Sequence, residues 1–520
     1  MASYKRPGIF VDETLNPIVV NETPSGEFVA AFVGEHDYGP ATPTLIRNWS
    51  EFISLFGGFG DGTHLLPFAV HQFFANGGRA CYIVRAVAAD ATSAEVVLKD
   101  RQSGEGVTPK DVLRLKAKAP GAFGNGIEIS VVDAGTGPGR FNLTLKVGGD
   151  TATGPQERFN DMSCDPTDVR NAVAMLNSPT TGSKFIEATY LGGMPWKAEK
   201  TPSVTVDQLL AGGTNGTAAP DLSASAELLE GTNEVLNVNL PGISDAAVIN
   251  PVIDWAERYG YAFLVVDTPA LPDGTPTETA VSKFMELSPL GNTSTTPVPL
   301  RVSSYAAVYG PWVLTADAAV AAVGATRLLP PGGALMGQFA KFDIDYGPHR
   351  TPAGQEAALR SVYSTQFRFT DAQLDSLNQA GINVIRRVPN AGFCVMGGRT
   401  VKAGYPDRYI SVRRFLIHVR KLLVESTSFA IFQPNTQDLW ASLAAIVTQR
   451  LTELTQAGQL KGNSPETAFR VVCDESNNTE QTVSNGEVHI DVGIALTRPA
   501  EFIGIHIGQF EGGGTATETL

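Results

Sequence analysis

The 520-residue sequence predicts a multidomain α+β protein. It reads as an α/β middle domain, a β-rich inserted domain and a mixed α/β C-terminal domain, with extended terminal arms. Three observations carry this expectation. The run YAFLVVD at 261–267 is unbroken and apolar, as in a strand buried on both faces. Between 92 and 224, short alternating segments are interrupted by Gly, Pro, Thr and Asn, the texture of a strand-rich domain. At both ends, short strand patterns sit beside prolines, after Pro7 and after Pro499. With 53 Gly, 33 Pro and only 18% charged residues, the chain favours strands and loops over a helical bundle. At about 150 residues per domain the length allows three or four cores.

Taken in order, 1–22 reads as an extended arm that Pro17 and Pro24 keep out of any helix. FVAAFVG (28–34) is a buried strand, 49–56 a helix with Ser50 as cap, 65–76 a second helix, and CYIVRAV (81–87) a strand. The α/β pattern of 23–91 resumes at 225–365, so the middle domain is discontinuous and 92–224 is inserted into it. One short helix is expected at 165–176 within the insertion. Beyond it come a helix at 251–259, strands at 261–267 and 300–309, and an alanine-rich helix at 316–323. The C-terminal domain, 366–497, opens with a helix at 371–380 closed by Gly381 and the strand INVIRRV. A long helix follows at 407–426. Another is capped by Asn435, carries Leu439, Leu443, Ile446, Val447, Leu451 and Leu454, and ends at Gly458. Strands at 486–495 and 499–510 close the chain, and 498–520 forms a linking strand and tail.

Lys and Arg number 39 against 53 Asp and Glu, a net charge of −14, which repels nucleic acid. The acidity is uneven: 381–470 holds twelve Lys/Arg against five Asp/Glu, suggesting contact with an acidic partner surface. Cys81, Cys164, Cys394 and Cys473 form no CxxC and read as buried free thiols. No apolar run reaches the roughly 18 residues that span a bilayer. The opening MASYKRPGIFVDE lacks the apolar stretch of a secretory signal, so neither membrane insertion nor classical secretion is expected.

Motifs of chemistry are sparse. There is no GxxxxGK[ST], no GxGxxG, no HExxH and no GxSxG, and His64 and His71 have no cysteine nearby to complete a metal set. Asp267, Ser303 and His349 can be joined into a triad on paper, but an aspartate closing a strand before Thr-Pro is more often a turn residue. The expectation is therefore no enzyme, no catalytic or metal residues and no cofactor. An α/β hydrolase-like enzyme built on 225–365 is the remote alternative.

Two features point to interfaces instead. In the 407–426 helix, Val412, Phe415, Leu416, Val419, Leu422 and Leu423 gather on one side, while Arg413, Arg414, Arg420 and Lys421 gather on the other. A solvated basic face would explain the charge alone. Ile410 and Ile417 within the stripe suggest a contact surface with an apolar centre. The second feature is the chain ends. Gly8, Ile9, Phe10, Val11 and Asp12, and Phe502, Ile503, Gly504, Ile505, His506, Ile507, Gly508 and Gln509, form strands short and exposed enough to pair with a foreign sheet edge. A plain terminal strand of the chain's own sheet is the alternative.

At this point the sequence resembles the contractile tail sheath proteins of bacteriophages and phage-tail-like injection particles. The likeness rests on YKRPGIFVDE at the start, LLPPGGALMGQFAKFDIDYGPHRTPAG (328–354), and an ordered C-terminal series. That series is GINVIRR (381–387), GGRT (397–400), YISVRRF (409–415), FQPN (432–435), LW (439–440), GQLKG (458–462), AF (468–469) and RPAEFIGIHI (498–507). It covers roughly 1–90 and 225–510, leaving 92–224 as an outward-facing insertion. The resemblance implies a structural subunit that polymerises helically, in stacked hexameric rings, around an inner tail tube and contracts to drive that tube through a cell envelope. Implied partners are further copies of the chain, the inner tube protein, and baseplate and tail terminator proteins. The implied location is the tail of a virion assembled in the host cytoplasm, serving genome ejection, or alternatively a bacterial extracellular injection particle. Under this resemblance the two terminal strands link neighbouring subunits, and the face of Arg413, Arg414, Ile417, Arg420 and Lys421 touches the tube.

Overall fold

An apolar run without a polar break needs cover on both sides, and Ala262–Asp267 is such a strand, buried at every residue. It lies inside an eight-stranded sheet in the order Gly392–Met396, Ile382–Val388, Ala306–Gly310, Ala262–Asp267, Leu236–Asn239, Val29–Glu35, Cys81–Ala86, Thr44–Ile46. Neighbouring strands run parallel except at the two edges, where Gly392–Met396 and Thr44–Ile46 are antiparallel to their partners. The computed structural model describes residues 28–519 except 61, 103–107, 148–155, 293–296, 321, 323, 405–407, 502–505 and 512–513, and beyond 505 it describes backbone. The N-terminal arm of 1–22, with Gly8, Ile9, Phe10, Val11 and Asp12, lies outside the described residues, as do Phe502, Ile503, Gly504 and Ile505.

The sheet extends past the expected boundary at 365. Val308 pairs with Ile382 and Tyr309 with Asn383, so INVIRRV is a sixth parallel-register neighbour of the middle domain, not the start of a separate unit. Two further expectations change. The described residues of the alanine-rich stretch 316–323 form no helix: Ala316 ends a strand, and Asp317 turns the chain by accepting from the Ala319 amide (3.0 Å) and from Arg327 Nε (2.9 Å). Conversely, Gly332–Asp345 is a helix that its glycines concealed. A Cβ at Gly333 would lie 2.4 Å from the Ala69 carbonyl oxygen, and one at Gly337 2.5 Å from that of Phe73. The glycines therefore let this helix press against Leu66–Ala75, backbone to backbone. Packing overrides propensity.

The inserted region has its own core. Its four-stranded sheet runs Thr205–Leu209, Ile127–Asp133, Arg140–Val147, Gln156–Ser163, and a three-stranded sheet runs Glu95–Lys99, Asp111–Ala117, Ile186–Tyr190. Alternating residues such as Ile127, Ile129, Phe141, Leu143 and Leu145 face Leu113, Leu115 and Leu176 in one apolar cluster. Buried Arg85 fastens this unit to the large sheet. Its guanidinium donates to the carbonyls of Gly39 (2.8 Å) and His36 (3.1 Å) and, across the junction, to that of Pro120. The Tyr38 ring meets Phe123 at 4.3 Å beside it.

In the C-terminal region, Ile410–Thr427 and Gln437–Gln456 pack through Phe415, Val419, Leu422, Val447, Leu451 and Leu454. Thr436, not Asn435, precedes the second helix; Asn435 instead accepts from Trp440 Nε1 at 2.7 Å and donates to the Glu487 carbonyl. Gly458 closes the helix at φ +69°, with Leu460 buried next to it. Among the described residues no helix is long and apolar enough to cross a membrane.

Gly337→Ala tests the backbone packing. On an exposed helix face that change stabilises by about 1 kcal/mol; here it should lower the unfolding free energy by roughly 1–3 kcal/mol. Thermal and urea unfolding of the purified subunit reads the sign.

Candidate functional site

The basic stripe of Ile410–Thr427 is not a surface. Arg414 is fully buried, its guanidinium 4.3 Å from the Phe28 ring and 4.6 Å from that of Phe339. Its Nε donates to Asn237 Oδ1 at 3.1 Å, and Nη2 pairs with the Asp343 carboxylate. Lys421 donates to the Asn233 carbonyl at 2.7 Å and pairs with Glu425 at 3.2 Å. Arg413 is buried over the Tyr305 ring, 4.7 Å away, and Ile417 is fully buried. Arg420 occupies the space that a Cβ on Gly260 would need. The tube-contact expectation for Arg413, Arg414, Ile417 and Lys421 is thereby corrected, and half-buried Arg420 lies along the same internal seam. Helical projection found the two faces correctly, but both face protein. The apolar face meets the helix Gln437–Gln456, and the basic face meets the large sheet. This helix is a clamp between the two.

The clamp carries a second element. Phe469–Val472 and Asp491–Ile494 form a two-stranded antiparallel sheet, with Val471 opposite Val492. The half-buried side chains of Phe469, Val471, Val492 and Ile494 pack on the clamp's apolar core. Among the described residues no third strand pairs with either outer edge. Each edge therefore offers a row of backbone N–H and C=O groups to another chain. Downstream the chain returns to the large sheet, where Glu501 takes a bidentate contact from Arg399, at 3.0 Å from Nε and 2.7 Å from Nη2. His506–Glu511 then pairs with Gly514–Thr519 in an antiparallel hairpin. The described half of the expected linking strand (His506, Ile507, Gly508 and Gln509) is thus paired within its own chain on one side.

The paper triad is not assembled. Asp267 lies at the C-terminal end of its strand, where α/β sheets bind ligands, but it is fully buried and already engaged. It accepts from the amides of Gly332 (2.7 Å) and Gly242 (3.0 Å) and from Asn239 Nδ2 (3.2 Å). Burial pushes its carboxyl up to about 6, against those three donors. Ser303 donates to Glu257 at 2.6 Å, and His349 sits 6.3 Å from the Phe415 ring, where burial lowers its pKa to about 4. All four cysteines are free and buried; burial raises Cys164 to about 12 and Cys473 to about 11, so neither is a ready thiolate. Among the described residues no cluster of His, Cys, Asp or Glu is arranged to hold a metal ion.

Residues 216–401, which contain the strands from Leu236–Asn239 to Gly392–Met396 and the glycine-rich helix, match the family of the phage tail sheath protein central domain. The helical sheath of the anti-feeding prophage in its contracted state aligns at TM-score 0.54, covering 98% of this chain and 99% of that one at 20% identity. The fold is that of a contractile tail sheath protein. A sheath tail protein from Listeria innocua aligns at TM-score 0.57 over 96% of each chain, with 13% identity. The tail sheath protein of Vibrio phage KVP40 is 27% identical over 180 residues, which is 34% of this chain and 26% of that relative. The chain thus spans about a quarter of the length of the curated sheath relatives it matches.

Sequence reasoning missed the acceptors of the buried cations. Asn233, Asn237 and Asp343 are single polar residues on other elements, and no local pattern marks them as partners. It also missed an exposed apolar tip between the two C-terminal helices, where Phe432 is 86% exposed at φ +66° beside exposed Phe429 and Ile431.

Removing one member of a buried ion pair leaves the other charge stranded. Arg414→Ala should lower stability by about 3–5 kcal/mol, whereas Arg414→Met combined with Asp343→Leu should recover most of the loss, as urea titration can show. For Asp267, the folded state holds its proton more tightly than the unfolded chain, with its ordinary value of 3.8. Acidification from about pH 6 to about pH 4 therefore favours the folded form at this residue. Asp267→Asn abolishes that contribution, so the variant should lose stability more steeply than the parent over this range in denaturation at stepped pH.

Proposed function

We propose that this chain is the structural subunit of a contractile sheath, polymerising helically around an inner tube and contracting to drive that tube through a target cell envelope. The observation that carries the reading is a sheath fold whose small C-terminal sheet has both outer edges open among the described residues. Polymerisation joins subunits by strand addition: Gly8, Ile9, Phe10, Val11 and Asp12 of one neighbour, and the segment from Phe502 to Gln509 of another, extend the sheet of Phe469–Val472 and Asp491–Ile494. Main-chain pairing tolerates reorientation of the rigid bodies it connects, so a cylinder can shorten while its strands stay joined. The role is mechanical, with no catalysis. Baseplate and tail terminator proteins cap the polymer. The inner tube remains a partner, without a contact assigned to the buried stripe of the clamp helix.

Two settings fit this role. In a virion the sheath serves genome ejection after assembly in the host cytoplasm, as the likeness to phage tail sheath proteins supports. In an extracellular contractile injection particle it serves delivery without a genome, as the likeness to the contracted sheath of an extracellular contractile injection system supports.

Deleting residues 1–20 should leave folded subunits, with unchanged circular dichroism, that form no tubes in negative-stain micrographs. Normal tubes from the truncated chain would refute linkage through the N-terminal strand.

A further inference from the structure

The backbone after Glu501 places two strands together where one linking strand was expected. His506 pairs with Thr519, Gly508 with Thr517, Phe510 with Thr515 and Glu511 with Gly514, and in sequence only Gly512-Gly513 stands between the two strands. Gly-Gly between two strands is a strong signal for a tight hairpin, because such turns need positive φ at the loop positions. Thr515, Thr517 and Thr519 add β-branched residues at alternate positions of the outer strand. A lone two-stranded hairpin is marginal in water and gains stability from a further strand. The small sheet of Phe469–Val472 and Asp491–Ile494 is also two-stranded, and both its outer edges are open among the described residues.

We infer that the C-terminal arm is donated to a second copy of this chain as a ready-made hairpin, so that 514–519 is a strand of the assembled sheet and not a loose tail. The inference rests on the sheath reading proposed above. Six paired residues per strand extend about 20 Å, enough to cover a four-residue edge of about 13 Å completely. The two strands differ in composition in a way that orders them. HIGQFE carries Ile507 and Phe510, while GTATET is small and polar and includes Glu518. Edge strands that must not recruit further chains are short, polar and charged, so 506–511 lies inside, against the neighbour, and 514–519 lies outermost as a cap. Charge selects the acceptor edge. The hairpin holds Glu511 and Glu518, which suit the strand with exposed Arg470 and would repel the one with exposed Asp491. The other edge, that of Asp491–Ile494, is then left for the N-terminal arm.

The root of the arm supports delivery as a unit. Glu501 and Arg399 are only 15% and 11% exposed, and Arg399 Nη1 also donates to the Asn378 carbonyl at 3.0 Å. This bidentate pair fixes where the arm leaves the large sheet, which reduces the ordering needed when the hairpin docks.

Hydrogen exchange on assembled tubes of the full-length chain tests the inference. The expected result is slowing, on the order of a hundredfold relative to free subunits, in both 506–511 and 514–519. Protection of 506–511 with free-peptide exchange in 514–519 would overturn the hairpin while leaving strand donation intact. Fast exchange in both segments would refute strand donation itself, and the hairpin with it. Truncation after Glu511 gives a second readout. Tubes lacking the outer strand should bundle laterally through the exposed edge, whereas single, well-separated tubes would contradict the capping role.

Discussion

The architecture depends on the burial of a guanidinium. A helix with one apolar and one basic face is stable inside a protein only if the cations find acceptors there, since a stranded charge costs several kcal/mol. Arg414 finds them in Asn237, Asp343 and the rings of Phe28 and Phe339, and Lys421 finds them at Asn233. Through these contacts Ile410–Thr427 holds the C-terminal helices and their small sheet rigidly against the large sheet. At the start of the same helix a bridge joins Tyr409 to Arg399, which in turn holds Glu501 at the root of the C-terminal arm. On the proposed reading, acceptor edge and donor arm thus ride on one body whose internal geometry is fixed, leaving motion to the segments between copies.

Strand addition suits such a polymer because of where its energy comes from. Each main-chain hydrogen bond contributes only about 0.5–1.5 kcal/mol net, so one edge of four residues holds a neighbour modestly. On the proposed reading each subunit donates two arms and receives two, and a tube repeats this in every ring. Linkage that is weak per contact but repeated can survive a large reorientation of the bodies it joins. Side-chain interfaces, which depend on complementary shape, would have to be broken and remade.

Much of the fold was legible in local pattern, and the failures have physical causes. The double-sided apolar run at 261–267 and the alternating strands of the insertion announced themselves because burial on two faces or one leaves a direct imprint on spacing. The helix Gly332–Asp345 was hidden because its glycines answer to a tertiary constraint, close approach to Leu66–Ala75. The basic stripe was correctly projected and wrongly assigned to the surface. Amphipathic spacing shows that a helix has two faces, not which of them meets water, and the acceptors Asn237 and Asp343 lie 177 and 71 residues from Arg414 in the chain. The candidate linking strand was visible at 502–509, but the pairing of 506–511 with 514–519 went unread because the Gly-Gly step in the sequence was taken as part of a tail instead of as a hairpin signal.

The central claim is that copies of this chain are joined by strands exchanged between their C-terminal sheets. Cryo-electron microscopy of the assembled polymer, at a resolution that traces the main chain, tests it most directly. The account predicts that the sheet of Phe469–Val472 and Asp491–Ile494 continues on both sides into strands belonging to other copies. A polymer in which both termini fold back on their own subunit, with that sheet still two-stranded, would contradict it.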